Sequence, residues 1–351
     1  MRNVNSNCWQ MLNCYAVAFF LVLSSSSEVL NASVGDVDPR YRNCVRQCEE
    51  TGCLGEKCFP NCKFVLDETP VGHPWDMLEP FYTKWKKQEC QGDCQYNCMV
   101  DREKEREILK EGPVKYHGKW PFKRICEIQE PASVVYSVLN LALHFHGWMS
   151  FYNKLSLKVG KKTTYEYAGL WHAHGLLSVN SWFWSAIFHS RDCRLTERLD
   201  YSSAVALLGY SFILAVLRSF NVKNEASRVM IFAPLISFFV THILFINFYK
   251  LDYGWNMKVC VVTAVAQLAI WAFWSVVSHH PSRWKLRFIV LIGGLAMFLE
   301  IYDFPPYEGL LDAHALGHAI TIPLAYLWWS FARDDAAFVI SKRIKNSKKS
   351  K

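Results

Sequence analysis

Residues 181–201 read Ser-Trp-Phe-Trp-Ser-Ala-Ile-Phe-His-Ser-Arg-Asp-Cys-Arg-Leu-Thr-Glu-Arg-Leu-Asp-Tyr. Ser185 and His189 stand four residues apart in an apolar, tryptophan-rich run. On a helix that spacing puts both side chains on one face. Asp200 follows eleven residues after His189, at the start of the next apolar run. Far downstream, Asp312-Ala-His314-Ala-Leu-Gly-His318 supplies two more histidines at i, i+4. Three histidines, a carboxylate and a serine at the ends of hydrophobic segments suit a zinc site that keeps one coordination position open. The expectation is a membrane-embedded, metal-dependent hydrolase.

Composition points to the same environment. Of 351 residues, 51% are hydrophobic, 15% aromatic and 20% charged. Soluble domains carry about 25% charged residues, and here the charges crowd into residues 36–130 and the short gaps beyond, leaving long runs almost free of charge. The net charge of +8 is not a nucleic-acid signature. Much of it lies between apolar runs and in 342–351, where a basic bias marks the cytoplasmic side of a membrane protein.

The first thirty residues carry Arg2, an apolar stretch from Tyr15 to Leu23 and a run of serines. This is the grammar of a cleaved signal peptide; a first membrane helix is the competing reading. Asn31-Ala-Ser33 is a possible glycosylation acceptor. Nine of the thirteen cysteines fall in residues 44–126: Cys44, Cys48, Cys53, Cys58, Cys62, Cys90, Cys94, Cys98 and Cys126. Behind a secretory signal that density reads as a disulfide framework, with a zinc-binding domain as the alternative. Nine is odd, so one thiol stays free or pairs elsewhere, Cys193 being the candidate. The stretch Asp101 to Glu107 reads as a solvated helix of mixed charge.

From Pro131 the apolar segments number seven: 131–153, 166–189, 200–220, 229–249, 256–278, 286–302 and 313–332. Each is near the ~20 residues a helix needs to cross the hydrocarbon core. The first gap holds Lys154, Lys158, Lys161 and Lys162; the third Arg218, Lys223 and Arg228; the fifth Arg283, Lys285 and Arg287. The sixth has acids only: Glu300, Asp303, Glu308 and Asp312. The odd gaps and the tail are therefore expected in the cytoplasm and the cysteine region in the lumen. That orientation brings Ser185, His189, Asp200, His314 and His318 to one membrane depth on the lumenal side. His144, His146, His172, His174 and His242 are expected to be hydrogen-bonded structural residues. A Ser-His-Asp triad is the rival use of Ser185, His189 and Asp200, but it leaves His314 and His318 idle. There is no H-E-x-x-H run.

The spacing Ser185-x3-His189-x10-Asp200 with His314-x3-His318 in the last helix resembles the CREST superfamily of seven-helix membrane proteins, which includes alkaline ceramidases and adiponectin-type receptors. Within it, Asn180 to His189, Arg191-Asp192, Leu199-Asp200-Tyr201, Asp303-Phe-Pro-Pro306 and Gln129 to Ser133 are similar to the post-GPI-attachment remodelling lipases. The resemblance implies an all-α membrane protein: a seven-transmembrane bundle (131–332) behind a lumenal disulfide-rich domain (31–130), with a signal peptide (1–30) and a cytoplasmic basic tail (333–351). It implies phospholipase A2-type removal of the sn-2 acyl chain from GPI-anchored proteins, with no nucleic-acid partner. His189, His314 and His318 would be zinc ligands, Asp200 would activate water and Ser185 would stabilise the oxyanion. The calcium site of the ceramidase relatives, on an acidic and tryptophan-bearing stretch before their first helix, is not matched by Glu127 and Glu130, so calcium is not carried over. The chain ends Lys348-Lys349-Ser350-Lys351, which looks like a dilysine retrieval signal and points to the endoplasmic reticulum or Golgi membrane; a basic tail lying against anionic lipid is the competing reading. The alternatives are a ligand-gated receptor of the adiponectin type, against which the reversed orientation and signal peptide argue, and a non-catalytic escort of anchored proteins.

Overall fold

The structure, a computed structural model, describes residues 33–60, 62, 81–156 and 165–349. The signal segment 1–30, the Asn31 acceptor, Lys158, Lys161, Lys162 and the last two residues lie outside them. The chain divides into two compact units: one holds Leu30–Lys123 with Pro305–Leu310, the other Arg124–Phe304 with Leu311–Lys351.

In the first unit, helix α1 (Pro39–Thr51) starts at Pro39, whose fixed φ and missing N–H suit a first helical position. Asp38 caps it, its carboxylate accepting from Arg40 N at 2.8 Å. Burial works to raise the Asp38 carboxyl, but the Arg102 guanidinium at 2.7 Å and the capped backbone more than offset it and hold it below the usual range. Gly52, at φ 70°, ends the helix in the left-handed conformation that costs glycine little. A hairpin follows, β1 (Cys53–Leu54) against β2 (Lys57–Cys58), with Cys53 opposite Cys58. Helix α2 (Phe81–Ile108) then runs through the mixed-charge stretch, as expected, though Arg102, Glu103 and Arg106 are half-buried.

The cysteine spacing explains how these pieces join. Cys44 and Cys48 share one face of α1; Cys90, Cys94 and Cys98 share one face of α2. The two faces are joined by Cys44–Cys98 and Cys48–Cys94, while Cys62–Cys90 and Cys53–Cys58 secure the rest. The disulfide reading holds over the zinc-binding one, because eight of the nine cysteines are paired. Cys126 is the odd one, and it and Cys193 both remain free thiols, so Cys193 does not take it up here. The unit's core is Tyr41, Phe59, Tyr116 and the half-cystines 48, 62, 90, 94 and 98.

The second unit is a bundle of seven helices: α3 (Pro131–Ser156), α4 (Ala168–Ser190), α5 (Arg194–Ser219), α6 (Glu225–Leu244), α7 (Tyr253–Val277), α8 (Arg283–Tyr302) and α9 (Ala313–Lys349). A π-helical turn, Phe245–Tyr249, extends α6. Helices α3, α4, α5, α7, α8 and α9 pack in that cyclic order, with α9 closing on α3; α6 packs on α5. The helices match the seven apolar segments to within four residues, except that α5 starts six residues early, at Arg194, and α9 runs on to Lys349. One reason is Asp335, buried and bonded to Arg218 of α5 and Tyr165, which pins α9 beyond its apolar part.

Among the described residues three helices are long and apolar enough to cross a membrane: Arg194–Ser219, Glu225–Tyr249 and Tyr253–Val277. Helices α3 and α4 miss that standard because of polar residues, most of which point inward, His146 and Asn180 being exposed. Ser133, Ser137, Asn140 and His144 form one buried stripe of α3; His174, Ser178, Ser181, Ser185 and His189 form one of α4. Valines and leucines occupy the outer faces, with Val135 and Leu176 more than half exposed. A helix polar inside and apolar outside reverses the pattern of a soluble bundle.

The interior is unequal along its length. At one end Trp171, Trp271, Trp328, Trp329, Phe151 and Phe331 pack together. Gly175 lets α3 and α4 approach there: a Cβ on it would stand 2.5 Å from the Trp148 ring. The structural histidines are hydrogen-bonded as expected: Trp329 Nε1 donates to His144, Trp328 Nε1 to His174 and Trp148 Nε1 to His172. His242 pairs with Asn256 at 3.0 Å; His146 is exposed. The other end holds the candidate site.

Candidate metal centre

Four stretches converge at that end. The last carbonyls of α4 lack partners within the helix. Backbone N–H groups of Gln129 and Glu130 donate to Ser190 and His189 carbonyls at 3.2 and 3.1 Å. Gln129 Oε1 also accepts from Asp192 N. This lays the start of α3 along the end of α4 and sets the Glu130 carboxylate 2.6 Å from His189 Nδ1. Asp312 caps α9 by accepting from Ala315 N at 2.8 Å, so His314 and His318 occupy its first two turns. Glu300, near the end of α8, bonds His314 Nδ1 at 2.8 Å. Ser137 of α3 bonds His318 Nδ1 at 3.0 Å, and Asn140 Nδ2 donates to the His318 carbonyl at 2.9 Å.

His189, His314 and His318 thus come together, each offering a nitrogen within 4.8 Å of the others. His189 Nε2 and His314 Nε2 are 3.3 Å apart. Carboxylates accept hydrogen bonds and cannot donate them, so both Nδ1 atoms carry hydrogen, and in the neutral rings both Nε2 atoms present lone pairs. Two lone pairs at that distance repel unless a proton or a metal cation lies between them. On this donor chemistry the residues fit a metal ion. Each ring also has its other nitrogen held by Glu130, Glu300 or Ser137, the arrangement that fixes tautomer and aim in metal-ligating histidines.

Ser185 joins the site through Ser137, their Oγ atoms 3.0 Å apart. Among the described residues it has no direct hydrogen bond to a histidine; His318 is reached through Ser137. Asp200, in the second turn of α5, is not part of the histidine cluster. Its neighbour Tyr201 packs 5.9 Å from Phe188, next to His189.

Sequence reasoning missed Ser137 and passed over Glu130 and Glu300. Ser133, Ser137, Asn140 and His144 recur at steps of four, three and four residues, a polar stripe in an apolar segment that was a readable signal. Glu300 reads in sequence only as one of the acids of the sixth gap.

Comparison with known proteins gives the family. A GPI-specific phospholipase A2-like protein, PGAP3, of Xenopus laevis is 34% identical over 328 residues, 92% of this chain and 96% of its own. The Homo sapiens protein of the same description is 31% identical over 332 residues, 93% and 96%. A PER1 homolog of Schizosaccharomyces pombe is 30% identical over 341 residues, 95% and 96%. No solved structure matches the chain. The model of the Per1-like family matches residues 80–336, a span that contains all three histidines, both serines and the carboxylates around them. The chain belongs to the Per1-like family.

Proposed function

We propose that this protein remodels GPI anchors, releasing the sn-2 acyl chain of GPI-anchored proteins by zinc-dependent ester hydrolysis. The observation that carries the reading is the meeting of His189, His314 and His318 beside Ser185, in a chain whose relatives are named GPI-specific phospholipase A2-like. Zinc suits the nitrogens: tetrahedral bonds of ~2.0–2.1 Å put ligand atoms about 3.3–3.4 Å apart, and His189 and His314 stand at 3.3 Å. Bound there, zinc would supply a Lewis acid for the ester carbonyl and lower the pKa of a water towards ~7.

The chain's own residues do the rest. Glu130, Glu300 and Ser137 hold the three rings in one tautomer. Asp200 takes a proton from the attacking water, whose oxygen bonds the acyl carbon, and returns it to the sn-2 oxygen as the ester bond breaks. Ser185 donates to the carbonyl oxygen as it gains charge.

In this reading all seven helices of 131–332 span the membrane. Residues 1–30 are a cleaved signal, 31–130 a lumenal domain and 333–351 a cytoplasmic tail, in the endoplasmic reticulum or Golgi. Protease added to intact microsomes should remove a tag on the tail and spare 31–130; a protected tail would reverse the orientation. Purified protein given a GPI-anchored substrate should release free fatty acid and leave a lyso-anchor. A receptor or an escort would bind the anchored protein and release none.

A further inference from the structure

Helical serines in apolar surroundings usually give their proton to a carbonyl one turn back. Two serines of α4 do so: Ser178 donates to the His174 carbonyl at 2.8 Å and Ser190 to Ala186 at 2.7 Å. Ser185, between them, does not. Its hydrogen-bond partner among the described residues is Ser137 Oγ of α3 at 3.0 Å. Ser137 is wholly buried and has two partners, Ser185 Oγ and His318 Nδ1, each at 3.0 Å.

The hydrogens of this chain of three groups can be assigned by counting. If His318 lends Nε2 to the metal of the proposed site, its one ring hydrogen is on Nδ1, shared between Ser137 Oγ and the Ser133 carbonyl one turn before it on α3. Ser137 cannot return a hydrogen to a nitrogen that already donates to it, so it gives its own to Ser185. Ser185 accepts that bond, and its own hydrogen is left for a third group. We propose that Ser137 is a positioning residue: it holds Ser185 in the rotamer, and with the hydrogen-bond direction, that aims the Ser185 O–H at the ester carbonyl oxygen. The donation runs from His318 to Ser137 to Ser185 to substrate, and each bond in such a chain strengthens the next. Registration is built in, because Asn140, three residues beyond Ser137, holds the His318 carbonyl and locks α3 against α9 at this level. The inference rests on the acyl-ester hydrolase reading, with Ser185 as oxyanion donor.

The test compares purified full-length wild type, Ser185→Ala, Ser137→Ala, the double variant and Ser137→Thr for acyl release and bound metal. Measured at saturating zinc, which offsets any weakening of the hold on His318, Ser137→Ala should lower turnover ~10–100-fold, as loss of an outer partner does, with metal content unchanged. Added to Ser185→Ala it should cost nothing further, since both changes remove one donor. Threonine, which keeps the hydroxyl, should restore most of the rate. Full activity in Ser137→Ala, multiplied losses in the double variant, or metal lost along with activity would each overturn the assignment; the last would make Ser137 a support of His318 alone. A wild-type protein that releases no acyl chain, or a fully active Ser185→Ala, would overturn instead the reading on which it rests.

Discussion

Replacing His314 with alanine should strip the metal and end acyl release while the helices remain inserted. His314 lies at the centre of the cluster: its Nε2 faces His189 Nε2 at 3.3 Å, its Nδ1 is held by Glu300, and its ring is 4.5 Å from that of His318. Two histidines cannot replace three, because a catalytic zinc site uses three protein ligands and leaves the fourth position to the reaction. Ser185→Ala should differ in kind. Loss of one oxyanion donor costs on the order of 10²–10³ in turnover, so metal should stay and a trace of activity persist. Metal content and fatty acid release, measured side by side on the two variants, separate the mechanisms. A serine nucleophile would instead give a trapped acyl-Ser185, sensitivity to serine reagents and indifference to chelators. Full activity in His314→Ala, or that trapped ester, would sink the zinc mechanism.

The second large effect belongs to the cysteine-rich unit. Cys48 and Cys94 are both fully buried and joined, and half-cystines supply five of the eight buried core side chains there. So small an apolar core has little in reserve. Removing a native bridge from a small secreted domain typically costs ~2–5 kcal/mol, and this is comparable to all the stability such a domain has. Cys94→Ser, which also strands Cys48 as a lone buried thiol, should therefore lower steady-state abundance sharply and smear the protein on a non-reducing gel. Any protein that survives should retain its metal and its turnover per molecule. Normal abundance and mobility would show that the bridge is dispensable.

Much of this was legible because helical periodicity carries distance information. Cysteines four apart on α1 and α2 had to share a face, and so did Ser185 with His189 and His314 with His318. Charge placement then brought those pairs to one level of the bundle. What spacing could not supply was the identity of groups arriving from elsewhere in the chain. Glu130 reaches His189 because backbone donors complete the end of α4, and Glu300 reaches His314 through the packing of α8 on α9; neither leaves a local pattern. Pairing among the cysteines was equally closed to counting, since eight thiols admit many connectivities. The extent of α9 was hidden for a related reason. Its continuation past the apolar part depends on a buried ion pair with a helix 117 residues away in sequence.

The tryptophan-packed end of the bundle bears on the membrane itself. A hydrolytic centre sunk below a bilayer surface needs water at its own level, and a water column running the full height would short-circuit the gradients that the compartment maintains. Here Trp171, Trp271 and Trp329 are fully buried and interlocked across α4, α7 and α9. On the seven-span reading they form an electrical seal. Any water admitted at the level of the histidines would then stop at the tryptophans, so an ester could be cut within the membrane without opening a leak.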